Sequence, residues 1–140
     1  MNRYASDMGF LYLCLSMIVN RDDKQIQQEF EDMETFFNSK KETDTELRMI
    51  YKSMTPGLYE NFINGYKKAI SKYGVSEGIN RIKEKIIDTI IRNRPGVDRE
   101  SLLNYVSEVD KETRRECILD MMIDGLHFQK DENGNYTMEE

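Results

Sequence analysis

The sequence predicts a mainly α-helical protein, with a helical unit over residues 1–75 followed by a smaller helical segment, 76–140, that ends in a β-hairpin. Three observations predict it. Apolar residues recur at spacings of three and four through most of the chain, the period of one helix face. Only two of the 140 residues are proline and a third are charged, a mix that suits helices. Alternation of period two, the strand signal, comes near the C-terminal end, at Leu126/Phe128 and Tyr136/Met138. A hydrophobic content of 39%, with 10% aromatics, is enough for a buried core in one domain or in two small ones that share it.

The first helix is expected from Tyr4 to Asn20 and is apolar on most faces, as in a helix enclosed by others. Its most apolar run, Phe10 to Val19, is too short to span a bilayer. It also lacks the flanks of a signal peptide, so a buried helix in a cytoplasmic protein is expected, with no membrane contact. A second helix from about Asp22 carries the stripe Ile26, Phe30, Met33 and Phe37, then dissolves into the polar loop Asn38 to Thr43. Asp44 or Thr45 caps a short helix bearing Leu47, Ile50, Tyr51 and Met54. Thr55-Pro56-Gly57 is a start signal with Thr55 as N-cap, and Leu58, Phe62, Tyr66 and Ile70 follow before Gly74. Ser76 and Glu77 open a fifth helix, whose Ile79, Ile82, Ile86 and Ile90 repeat at three and four until Arg94-Pro95-Gly96.

From there the order of elements becomes specific. Asp98 caps a short helix with Leu102, Leu103 and Val106, and Ser107-Glu108-Val109 makes a tight turn. Asp110 caps a further helix with Thr113, Ile118 and Met121, which ends at Asp124-Gly125. Leu126-His127-Phe128 and Tyr136-Thr137-Met138 then read as two strands about a glycine-containing turn.

Helix, Pro-Gly turn, helix, three-residue turn, helix, glycine and hairpin, over residues 80 to 138, resembles the winged helix-turn-helix. The marks that carry it are Arg94-Pro95-Gly96-Val97, the Asp-x-x-Thr start at Asp110, and Asp124-Gly125-Leu126. The resemblance implies a winged helix-turn-helix at 76–140 with residues 110 to 123 as recognition helix and 129 to 135 as wing. It implies double-stranded DNA as partner, with Lys111, Arg114 and Arg115 reaching base edges and Arg92, Arg94 and Arg99 near phosphates. Lys130 would serve the wing. Arg114 departs from the pattern, which has an aliphatic core residue there. Residues 133–140 also look similar to the acidic motif of helical tellurite-resistance-type domains, with Asn133 in place of Asp.

Charge sets a second reading beside the first. The net charge is −6 and the pI near 5.0, so no broad basic surface is available for non-specific nucleic-acid binding. Glu108, Asp110, Glu112 and Glu116 interleave with the basic residues, and Asp131 and Glu132 flank Lys130. The alternative is thus a protein-interaction module that never touches DNA. Leu119, Met122 and Ile123 exceed what a small winged core needs, so they pack on the N-terminal helices or on a second copy in a homodimer. Cys14 and Cys117, without CxxC spacing, read as core residues of a reducing compartment. His127 has no ligand-spaced partner, and the stretch from Asp131 has Tyr136 at the sixth position, where a calcium loop needs glycine, and no twelfth-position carboxylate. No glycine-rich phosphate loop or nucleophile elbow is present. The expectation is a small non-enzymatic regulator without metal or cofactor.

Overall fold

The structure, a computed structural model, describes residues 3–40, 43–94, 96–109, 128–130 and 136–138. Its elements in order are α1 (Arg3–Ser16), α2 (Asp23–Lys40), α3 (Thr45–Ser53), α4 (Leu58–Tyr73), α5 (Val75–Asn93), α6 (Arg99–Ser107), β1 (Phe128–Lys130) and β2 (Tyr136–Met138).

α1 is the central element. It packs against α3, α5 and α6, and Phe10, Leu11, Tyr12, Cys14 and Leu15 are all buried along it. A helix surrounded in this way must be apolar on nearly every side, which explains the run from Phe10 to Val19. Among the described residues no helix is long and apolar enough to cross a membrane. Turns follow the helix from Met17 and close where Asn20 takes a left-handed conformation, φ 61°, one that asparagine tolerates better than most side chains. Arg21 then turns back and donates from Nη1 to the carbonyls of Ser16 (2.6 Å) and Val19 (2.9 Å), so charge satisfies acceptors that the helix end leaves open.

α2 opens on a reciprocal cap. Gln25 N donates to Asp22 Oδ1 at 2.8 Å, and Asp22 N to Gln25 Oε1 at 3.0 Å. The stripe Ile26, Phe30, Met33 and Phe37 is buried, as its spacing requires. It meets an aromatic cluster: Phe30 stacks on Tyr66 at 4.4 Å between centroids and Phe37 on Tyr59 at 4.6 Å. Phe10 sits edge-on to Phe37, Tyr59 and Phe62.

Thr55 departs from its expected role. α4 begins at Leu58 with Gly57 as N-cap and no side-chain cap bond. The Thr55 hydroxyl donates instead to Asp7 Oδ2 at 2.5 Å, and its N–H to Asp7 Oδ1 at 2.8 Å. A carboxylate from α1, remote in sequence, wins the hydroxyl because a charge-assisted bond is the stronger one.

Gly74 alone joins α4 to α5, at φ 85° and ψ 171°, a conformation essentially confined to glycine. Just beyond it the two helices pass so closely that a Cβ on Gly78 would lie 2.7 Å from Ala69 O. α5 starts at Val75, and Ser76 spends its hydroxyl on Asp23 of α2 rather than on a cap. Ile79, Ile86 and Ile90 are buried together with Ile87, while Ile82 is half-buried. Asp98 caps α6 as expected by accepting from Ser101 N at 2.8 Å, a bond that holds its carboxyl below the usual range.

The expected fold class needs correction. The described fold is mainly helical, but it holds no winged helix-turn-helix closed by a C-terminal β-hairpin. α5 and α6, expected as the first two helices of that module, line the same core as α1, with Ile87, Ile90, Leu102 and Val106 nearly inaccessible beside Phe10 and Leu15. The physical reason lies in the signals themselves. A helix, a Pro-Gly turn and an Asp-capped helix describe any tight helical corner, and among the described residues α1 packs against both of its helices. β1 and β2 are three residues each, paired with one another with Phe128 opposite Met138, too short to change the class. The expected recognition helix, 110–123, lies outside the described residues, as do Cys117, His127 and residues 131–135.

Candidate interaction cleft

Where α1 ends and α2 begins, the chain crosses the flank of α5 and α6 and leaves a cleft of about 460 Å³. That is within the range of small-molecule ligand sites. Its floor is apolar and belongs to the core: Ile18, Val19, Ile26 and Ile79 are buried and Leu103 is half-buried. Its rim is polar. Asn80 and Lys83 stand one turn apart on α5, Asn104 and Ser107 one turn apart on α6, and Asn20 closes the end at the α1–α2 junction.

The rim is sparsely paired. Asn20, Asn80 and Asn104 are exposed, and their amides make no hydrogen bond among the described residues. Lys83 has no ion pair among them either. Asp23, by contrast, is engaged by the Ser76 hydroxyl. Arg21 lines the same end, but its guanidinium is committed to Ser16 O and Val19 O, reaches Val109 O at 3.5 Å, and lies 4.0 Å from Glu29. It fixes the cleft wall rather than offering a free charge.

The arginines expected near DNA phosphates are placed differently from one another. Arg92 is exposed in the last turn of α5, with Nε 3.4 Å from Asp88 O. Arg94 is half-buried over the ring of Tyr12, 5.6 Å from its centroid, and donates to the Tyr12 hydroxyl at 3.2 Å. Burial pushes the Tyr12 phenol up, and Arg94 works against that shift. Arg99 forks onto Glu84 at 2.6 and 2.7 Å, which holds the Glu84 carboxyl below its ordinary range. Two of these three side chains are therefore occupied within the molecule. Lys111, Arg114 and Arg115 lie outside the described residues, and so does the side chain of Lys130.

Cys14 is buried, as a core cysteine should be. Nearby, a second cavity of about 260 Å³ lies beside Tyr51, Pro56 and Tyr59, with the Tyr51 hydroxyl bonded to Glu60. Tyr59 is 4% exposed, its hydroxyl has no partner among the described residues, and its pKa is pushed up to about 12. Burial is the main cause, reinforced by the negative charges of Glu34 and Glu60. The folded chain therefore holds this proton more tightly than the unfolded one. Its contribution to stability is complete below pH 10 and declines as the pH climbs toward 12. Alkaline titration of the phenolate absorbance should show a tyrosine that titrates near pH 12, which Tyr59→Phe removes. A difference spectrum between the two proteins that titrates near pH 10 would contradict this.

The sequence reading missed the cleft. It is assembled from four segments distant in the chain, and the one local trace was the abrupt change from an apolar run to Asn20-Arg21-Asp22-Asp23. No protein-family model, curated protein or solved structure matches the chain significantly.

Proposed function

We propose that this chain is a non-enzymatic helical interaction module that binds a protein partner in the cleft between the α1–α2 connection, α2, α5 and α6. One observation carries the proposal. The cleft joins an apolar floor to unpartnered amides and an unpaired lysine, groups that recognise a partner. Among the described basic side chains expected for DNA, Arg94 and Arg99 already have partners within the molecule. Self-association has no comparable support. Among the described residues the exposed large apolar side chains, Phe36, Tyr73 and Tyr105, lie on three different helices. Arg81 covers the Tyr73 ring at 3.9 Å, and Tyr105 meets Tyr12 edge-on.

Site-specific photocrosslinking in the native cell tests the proposal. A photoreactive side chain at Asn80 should give a discrete protein adduct, whereas one at Asn64, exposed on α4 away from the cleft, should not. Equal adducts at both positions would remove the reading. Retention on random-sequence duplex DNA at low salt, with no adduct at Asn80, would replace it by a DNA-binding one.

A further inference from the structure

We infer that the cleft takes an extended peptide segment with a single acidic side chain seated at Lys83, an inference that rests on the partner-binding reading above. The chemistry of the rim selects this ligand. A primary amide offers N–H donors and a carbonyl acceptor together, so it can pair with both the C=O and the N–H of a peptide group. Asn20, Asn80 and Asn104 present three such groups around one cleft, none hydrogen-bonded among the described residues.

Other ligand classes fit less well. A bound helix has already satisfied its backbone groups internally, so the rim amides would meet nothing in its main chain. An extended segment leaves those groups free and sends alternate side chains to opposite faces. One set would then lie over Ile18, Ile79 and Leu103, and the other would face solvent. Nucleobases call for an aromatic stacking platform, and among the described residues no aromatic side chain lines this cleft. A phosphate-rich ligand would need several free cations, whereas Lys83 stands without an ion pair and Arg21 is committed to carbonyls.

Charge fixes the register. Among the described lining residues Lys83 is the cation without an ion pair, whereas at the other end Glu29 lies 4.0 Å from Arg21 and leaves Asp23 as the additional negative charge. Ser76 and Lys83 are seven residues apart on α5, about 10 Å along the helix axis. An acidic side chain is therefore favoured at the Lys83 end and opposed at the Asp23 end.

Selection of displayed peptides on the full chain tests this, with one library of random linear nonamers and one of helix-constrained peptides. The linear library should enrich, with Asp or Glu at one fixed position. A synthetic peptide of the enriched sequence, acetylated and amidated, should bind about tenfold more weakly to Asn80→Ala and to Asn104→Ala. Lys83→Glu should lose that peptide and enrich sequences with a basic residue at the same position. These side chains are on the cleft rim, so unchanged circular dichroism and melting separate lost binding from lost folding. Enriched linear peptides that bind Asn80→Ala and Asn104→Ala as tightly as the native chain overturn the inference. Enrichment from the helical library alone, blocked by Leu103→Arg, overturns the extended mode and leaves partner binding in the cleft intact. Enrichment from neither library, with no photoadduct at Asn80, removes both.

Discussion

Replacing Phe10 by alanine is expected to lower the unfolding free energy by about 3–5 kcal/mol. Phe10 is fully inaccessible and meets three rings edge-on, with centroids 6.3 Å away at Phe37, 6.0 Å at Tyr59 and 5.5 Å at Phe62. Those rings come from α2 and α4, so the side chain joins the central helix to two of the helices around it. Truncation loses the transfer energy of the ring and leaves a cavity. The walls of that cavity cannot collapse easily, because Phe37 is itself stacked on Tyr59 and Phe62 on Phe30. Each edge-to-face pair adds roughly 0.5–1.5 kcal/mol beyond burial, so the loss belongs in the upper part of the range. Urea denaturation should show a lower midpoint at unchanged slope. Phe10→Leu, which fills most of the space without the ring edges, should lose a smaller part. A Phe10→Ala protein within about 1 kcal/mol of the native chain would contradict the packing described here.

Features encoded by neighbouring residues were legible in the sequence, and those that depend on distant partners were not. The stripe Ile26, Phe30, Met33 and Phe37 and the repeat on α5 announce buried faces, because helical spacing alone places those side chains together. Asp98 announces a helix start because its acceptor and the Ser101 N–H are three residues apart. The all-round apolar run of α1 announces a helix enclosed by others. Thr55 misled because its hydroxyl is taken by Asp7, 48 positions away. Arg94 and Arg99 read as free cations because Tyr12 and Glu84 are 82 and 15 positions from them. The winged arrangement misled for a related reason. Its marks were turns and caps, which state where helices begin and end but not which helix covers which. The cleft combines both difficulties, since the α1–α2 connection, α2, α5 and α6 each contribute a part of it and none carries a recognisable motif.

The same substitution at two glycines is expected to have opposite signs, and the difference bears on the cleft. Gly→Ala inside a helix ordinarily stabilises by up to about 1 kcal/mol, because alanine restricts the unfolded chain more. Gly65 on α4 has nothing within 4 Å of the position its Cβ would take, so Gly65→Ala should show that gain. At Gly78 on α5 the new Cβ would fall 2.7 Å from Ala69 O, 2.8 Å from Ala69 C and 2.8 Å from Ile70 N. These are backbone atoms of α4, so no rotamer change relieves the contact and the helices must separate. Overpacking of this kind costs roughly 1–3 kcal/mol. With rigid backbone on both sides and a single residue, Gly74, linking the helices, the upper end applies. It outweighs the helix-propensity gain and leaves a net loss of about 2 kcal/mol, read as a lower urea midpoint. The displacement should also reach the site. Asn80 and Lys83 follow Gly78 on the same helix, and their alignment with Asn104 depends on where α5 lies between α4 and α6. Gly78→Ala is therefore expected to weaken the peptide selected on the native chain even where the variant remains folded, whereas Gly65→Ala should bind it unchanged. Equal or greater stability of Gly78→Ala would contradict the close passage of α4 and α5. A clear loss of stability with full peptide affinity would place the binding surface somewhere other than α5.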